Sequence, residues 1–218
     1  MRKLWAFSGI DGAGKTTQIE MLIERLRREG RPVRRIWARG GYTPLFEFAK
    51  GLLRRTSSRA LPKPGRSKAR TQQFRRPLIR KVWLLISIFD LFLYYGVYVR
   101  WLRLTGRIVV SDRWVMDTEL DFELNFAEEH VPRWLSWRLL KAFMPRPAEH
   151  FVFLIPVEES LRRSEEKNEP FPDDAEVLAK RLAFYRASIG QGAGREMNGM
   201  LKREEIHDQV AEHCGIGS

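Results

Sequence analysis

Residues 4 to 16 read Leu4-Trp5-Ala6-Phe7-Ser8-Gly9-Ile10-Asp11-Gly12-Ala13-Gly14-Lys15-Thr16. A short apolar segment runs into GxxxxGK[ST], and Ile19, Leu22, Ile23 and Leu26 then recur at helical spacing up to Gly30. This strand, loop and helix are the context in which the motif binds phosphate. Glycines let successive backbone N–H groups face an anion, and the helix that follows adds its positive N-terminal end. Lys15 is expected to reach the β and γ phosphates of a nucleotide, and the Thr16 hydroxyl to hold Mg²⁺.

Working outward, the chain alternates apolar strands with helices. Strands are expected at about Lys3 to Phe7, Val33 to Ala38, Arg107 to Ser111, Phe151 to Ile155 and, weakly, Arg195 to Met197. Helices are expected over Lys15 to Arg28, Glu158 to Glu166, Glu176 to Ala187 and Lys202 to His213. This order predicts an α/β fold of the P-loop kinase type: three layers, with a five-stranded parallel sheet between helices and active groups at the carboxyl ends of the strands. A length of 218 residues with 44% hydrophobic content suits one domain. The single cysteine, Cys214, excludes an internal disulfide framework and reads as a small residue on a terminal helix. The start of the sequence leads straight into the phosphate loop without a signal peptide, so a cytoplasmic location is expected.

The formal net charge is +12, yet residues 53 to 81 carry eleven Lys and Arg and no acid, which leaves +1 for the rest. Pro62, Pro64, Gly65 and neighbouring serines mark this stretch as a basic mobile loop at about 54 to 76. It reads as a solvated loop, or as an attractor for an acidic partner, anionic lipid or nucleic acid. No RNA-recognition aromatic motif accompanies it, so nucleic acid is not the expected partner.

The run from Val82 to Val99 is apolar apart from Ser87, Asp90 and Gly96 and approaches membrane-spanning length. A span would separate strands that belong to one parallel sheet. The run is better read as a helix lying partly in the core and partly in a subunit interface, which predicts a homodimer and no membrane span.

Asp112 and Arg113 end the third expected strand, where a P-loop fold holds its magnesium. Asp117 and Asp121, four apart on one helical face beside that point, are candidates for an acceptor hydroxyl or a second magnesium, against the commoner outcome of solvated helix carboxylates. The four histidines show no metal-ligand spacing. Trp134 and Trp137 read as core or interface, and Met197 and Met200 as packing.

Taken in order, Phe-Ser-Gly-Ile-Asp-Gly-Ala-Gly-Lys-Thr-Thr-Gln near the start, Val-Val-Ser-Asp-Arg-Trp in mid-chain and a charged loop at about 164 to 175 resemble the thymidylate kinase family. The stretch from Glu204 to Val210 adds weak support. The resemblance implies ATP and Mg²⁺ as cofactors, with Gly9, Asp11, Gly12, Ala13, Gly14, Lys15, Thr16 and Thr17 around the nucleotide phosphates. It implies that Asp112, with Thr16, positions magnesium and that Arg113 binds phosphoryl groups. Asp11 would contact the acceptor's sugar and Arg39 its phosphate. Arg39-Gly40-Gly41 stands where the family has Arg-Glu-Pro-Gly-Gly, so the Glu-Pro is missing. Gly12 has no side chain, so a transition-state cation must come from the lid, with Arg162, Arg163 and Lys167 as candidates and Arg163 favoured.

One departure bears on the substrate. The family reads thymine with an Arg and, two residues on, a Gln from the apolar helix; the matching positions here are Leu91 and Leu93, and no arginine occurs between Lys81 and Arg100. A site without those donors cannot select thymine by that route. The sequence therefore predicts MgATP-dependent phosphoryl transfer to a small phosphate acceptor: a dTMP-like nucleoside monophosphate, or a different phosphate or hydroxyl compound. A nucleotide-regulated binding protein that uses the basic loop is the third possibility.

Overall fold

A computed structural model describes residues 3–37, 74, 76–168 and 172–216. Five parallel strands form one sheet: β1 (Leu4–Gly9), β2 (Val33–Trp37), β3 (Ile108–Asp112), β4 (Glu149–Leu154) and β5 (Arg195–Asn198), in the order β2-β3-β1-β4-β5. This is the α/β fold with helices around a parallel sheet that the alternation predicts. β1 lies at the centre, so chain crossovers leave it on both sides and open a crevice beyond its carboxyl end. The phosphate loop starts there.

The period of two along β1 divides the core. Leu4 and Ala6 face one layer with Val109 and Ile36, while Trp5 and Phe7 face the other with Val110, Phe151 and Phe153. Both faces of β1 are fully covered, as a central parallel strand requires. On the second face lie α1 (Lys15–Arg28) and, near the C-terminus, the helix Arg203–Cys214, with Ile19, Leu22, Val210 and Cys214 buried between them and the sheet. Arg25, Arg27 and Arg28 sit in the last turn of α1, where cations favour the helix dipole, and Gly30 at φ 68° ends the turn.

The first face is covered by α2, a helix from Pro77 to Leu104 whose residues Phe92–Val99 adopt π geometry, by α3 (Val115–Asn125) and by α4 (Leu135–Phe143). Leu84, Ile88, Leu91 and Tyr95 of α2 are buried against Val109, Trp114 and Trp137. Proline at the first position of α2 costs nothing, because that N–H has no partner within the helix. The π segment brings Gly96 against the Phe143 ring of α4, where an added Cβ would lie 3.1 Å from a ring carbon. Among the described residues two more α-helices follow, α5 (Val157–Glu166) and α6 (Ala175–Gly190), which makes the C-terminal helix α7.

Several expectations are corrected. Met200 is 51% exposed and not a packing residue, because it lies in the turn after β5; Met197, on β5, is buried as expected. Asp117 and Asp121 are not solvated helix carboxylates: both are buried, since α3 turns their face toward α6. Arg39, most of the basic stretch at 54 to 76, and residues 169 to 171 of the expected lid lie outside the described residues.

Candidate active site

The loop after β1 is shaped by glycines. Gly9 has φ 131°, Gly12 76° and Gly14 88°, all in a region that side chains oppose. At Gly9 the reason is also spatial: a Cβ would lie 2.1 Å from the Phe153 carbonyl oxygen of β4. The loop can thus lie flat on the strand ends, with Ile10 N–H donating to that same carbonyl at 3.1 Å.

Lys15, enclosed at the first position of α1, turns back over the loop and donates to the Gly9 and Ile10 carbonyls at 2.9 and 2.6 Å. Burial, reinforced by the nearby Arg113 cation, lowers its pKa from the ordinary 10.5 to about 8, against the opposing pull of Asp11, Asp117 and Asp112. Thr16 and Thr17 are exposed on the first turn of α1.

Arg113 follows β3 and has φ 82°, a strained conformation for a residue with a side chain. Its backbone is held from both sides: its N–H donates to the Phe7 carbonyl at 2.9 Å, and the Ser111 hydroxyl donates to its carbonyl at 2.6 Å. The guanidinium spans two carboxylates, Asp11 of the loop at 2.7 Å and Asp117 of α3 at 3.4 Å. Burial alone would raise the Asp11 pKa, but Arg113 and Lys15 outweigh it and hold the carboxyl well below its usual range.

Asp117 accepts from four donors. The Ser8 hydroxyl lies at 2.5 Å, the Trp114 backbone N–H at 2.7 Å, where it caps α3, the Tyr185 hydroxyl at 2.8 Å, and Arg113 as above. Burial would raise its pKa; the neighbouring Arg113 cation and these hydrogen bonds lower it instead. Enclosed in this way, Asp117 faces Arg113 and not open space, so its reach toward an acceptor runs through that guanidinium. Ser8 is also 2.8 Å from His150 Nε2, and burial lowers the His150 pKa against the pull of Asp117.

Asp112 ends β3 beside the loop and receives Arg35 of β2 at 2.5 Å. Asp121 pairs at 3.1 Å with Arg181 of α6, whose Nε also meets Asp173 at 2.7 Å. From α5, the Ser160 hydroxyl donates to the Asp11 carbonyl at 2.7 Å. Arg163 donates to the carbonyls of Gly12 and Gly199 at 3.0 and 3.2 Å. Arg162 points elsewhere, into exposed pairs with Glu159 and Glu166, and Lys167 is exposed at the helix end. Among the described residues, Arg163 is the lid candidate that hydrogen-bonds to the phosphate loop.

Sequence reasoning brought Lys15, Asp11, Asp112, Arg113 and Arg163 to one edge of the sheet, and the structure gathers them there. It missed Arg35, Arg181, Tyr185 and Ser8. A signal existed: Arg181 and Tyr185 are four apart on α6, and so match Asp121 and Asp117 four apart on α3.

The residues present fit a magnesium nucleotide. Gly9, Gly12 and Gly14 of the loop carry no Cβ, Lys15 lies against the loop carbonyls, and the Thr16 hydroxyl and Asp112 carboxylate belong to the elements that flank the loop. Among the described residues no group of three or more His, Cys, Asp or Glu forms a separate metal cage.

No family model matches the chain. A 54-residue stretch is 52% identical to thymidylate kinase of Paracidovorax citrulli (strain AAC00-1), and it covers 24% of this chain and 24% of that protein.

Proposed function

We propose that the chain is a MgATP-dependent phosphotransferase that acts on a nucleoside monophosphate of the dTMP type. The observation that carries this reading is Arg113, fixed between Asp11 and Asp117 at the mouth of the Lys15 loop. A guanidinium anchored on two elements beside a phosphate loop is arranged to hold a second anion in line with the first.

In this reading the loop amides from Gly9 to Thr17 receive the nucleotide phosphates, and Lys15 moves from the loop carbonyls to the β and γ oxygens. Mg²⁺, held through Thr16 and Asp112, supplies charge neutralisation at those oxygens. Arg113, with Arg39, binds the acceptor phosphate. Asp11 meets the acceptor's sugar while keeping Arg113 aimed, and Asp117 fixes the same guanidinium from behind. Arg163, already on the Gly12 carbonyl, is the cation available to the transferring group. No protein nucleophile is needed, because phosphoryl transfer rests on positioning and electrostatic stabilisation.

A specific observation favours a second acceptor class. Leu91 is fully buried in the core and Leu93 is half-buried, so α2 presents no guanidinium or amide to a base at the positions where thymine would be read. Another small phosphate or hydroxyl compound fits that departure. The test is ADP release from MgATP with dTMP, dUMP, the other nucleoside monophosphates, small sugar phosphates or no acceptor, with Lys15→Ala as the blank. Stimulation by dTMP alone supports the first reading, stimulation by a non-nucleotide the second, and no stimulation by any acceptor overturns both.

A further inference from the structure

The outer face of α2 takes no part in that chemistry. Leu78, Val82, Leu85, Phe89, Trp101 and Leu104 lie along one side of the helix, and Leu78, Phe89 and Leu104 are 74, 62 and 66% exposed. The opposite side, Leu84, Ile88, Leu91 and Tyr95, is the one that packs on the sheet. α4 widens the apolar surface. Phe92 and Phe143 stack at 4.9 Å and join the two helices, and Leu135, Leu139 and Phe143 are exposed beside them. At 28 residues α2 is about 42 Å long, and the stripe runs from Leu78 near its start to Leu104 at its end.

The exposed charges on these helices are of one sign. α2 carries a single acid, Asp90, which is 4% exposed, and α4 carries none. Exposed cations lie near the stripe: Arg76, Lys81 and Arg100 on or next to α2, and Arg133 and Arg138 on or next to α4. The nearby Glu119 is engaged by Lys141, and Glu128 and Glu129 by Arg80. In a two-fold dimer built on this face identical surfaces would meet, bringing cations toward cations without acids on either helix to answer them. An anionic surface with an apolar interior answers both features, and the chain's net charge of +12 adds long-range attraction.

We propose that α2 and α4 seat the protein on the surface of an anionic phospholipid bilayer. The helix lies in the plane of the interface and does not cross it. Half of its most apolar window is buried in the domain, and the strands before and after it, β2 and β3, are paired in one sheet.

The experiment is co-sedimentation of the whole chain with vesicles of phosphatidylcholine alone and of phosphatidylcholine mixed with phosphatidylglycerol. Binding is expected to be about tenfold greater on the mixed vesicles at low salt and to fall as salt is raised. Phe89→Glu combined with Leu104→Glu should remove it, and Arg138→Glu should weaken it, with thermal melts matching the unaltered protein. Equal binding to both vesicles, no binding to either, or undiminished binding by a folded Phe89→Glu variant overturns the proposal. So does a dimer, seen by light scattering, that Phe89→Glu dissociates and that ignores vesicles. The readout requires no phosphoryl transfer, so its outcome is independent of the acceptor assay.

Discussion

Arg113 reaches from the end of β3 to Asp11 in the phosphate loop, a 2.7 Å ion pair between residues 102 apart in sequence. The pair joins the loop after β1 to the residue that follows β3. Its guanidinium stays protonated, because the attraction of Asp11 and Asp117 outweighs the burial that would favour the neutral form.

Removing that guanidinium should therefore affect turnover more than nucleotide binding. Arg113→Ala is expected to lower kcat by at least about a hundredfold, the scale seen when one preorganised donor to developing charge is lost. ATP affinity should change by less than about tenfold, since the Lys15 loop is retained. Steady-state kinetics with the acceptor that stimulates ADP release, beside a nucleotide titration, separates the two quantities. Near-normal kcat would remove Arg113 from the site.

Asp117→Ala tests the support behind Arg113. The substitution leaves Ser8, the Trp114 amide and Tyr185 each short of an acceptor, and leaves a buried cation with one partner fewer. A loss of about 3 to 5 kcal/mol in stability is expected from breaking a buried charged network on one side. Tyr185→Phe removes one donor and should cost about 1 kcal/mol. Urea unfolding of both variants measures the contrast, and equal losses would show that Asp117 carries no more than a single hydrogen bond.

Gly9→Ala should be disproportionately damaging for the addition of one methyl group. The new Cβ would meet backbone, the Phe153 carbonyl at 2.1 Å, and neither β1 nor β4 can retreat without breaking its ladder. Gly14→Ala meets nothing within 4 Å and bears only the strain of φ 88°. A Gly9→Ala protein is expected to melt well below a Gly14→Ala protein. Matching melting temperatures would mean that the loop has room to shift.

How much of this was legible without coordinates depends on the distance over which the signal acts. Lys15, Thr16 and the loop glycines declare themselves because their chemistry is local to one turn. β1 to β5 and most helices follow from apolar period and breakers, so the sheet could be read. Arg35 could not, because its partner Asp112 is 77 residues away and a cation on an edge strand reads as solvent-facing. Asp117 and Asp121 read as surface carboxylates until α6 brings Tyr185 and Arg181 to them. The π turn at Phe92–Val99 has no local signature beyond Gly96, which needs the ring of Phe143 to explain it.

His150 gives a stability test. Burial lowers its pKa below 6.5, with Asp117 and the Ala193 backbone opposing. Below that pH the unfolded chain binds a proton that the folded chain resists, so the contribution of a neutral His150 is present above about pH 6.5 and declines as pH falls through it. His207 is shifted in the same direction by burial and Arg25. His150→Gln should therefore flatten the stability profile between about pH 7 and 5 in part, and His150→Gln with His207→Gln should flatten it further. Urea midpoints across that range are the measurement, and unchanged slopes would mean that neither imidazole is held neutral.

Lys15 gives the corresponding test for nucleotide binding: its effect on folding runs in the same direction as that of His150, and its effect on binding in the opposite one. Its pKa in the folded chain is about 8, against 10.5 for an ordinary lysine, so between those values the free protein has already lost a proton that the unfolded chain keeps. Folding is penalised by this group below pH 8, and the penalty is relieved as pH rises toward 10.5. Binding behaves otherwise, because the phosphates require the ammonium. Below pH 8 affinity for MgATP should be level. Above it, each binding event must take up a proton, and the dissociation constant should rise by up to about tenfold per pH unit. Calorimetry at pH 9 in two buffers of different ionisation enthalpy counts that proton directly. Lys15→Arg, which stays charged throughout, should abolish the uptake while retaining part of the affinity. Binding at pH 9 with no proton taken up would show that Lys15 is not the cation that meets the phosphates.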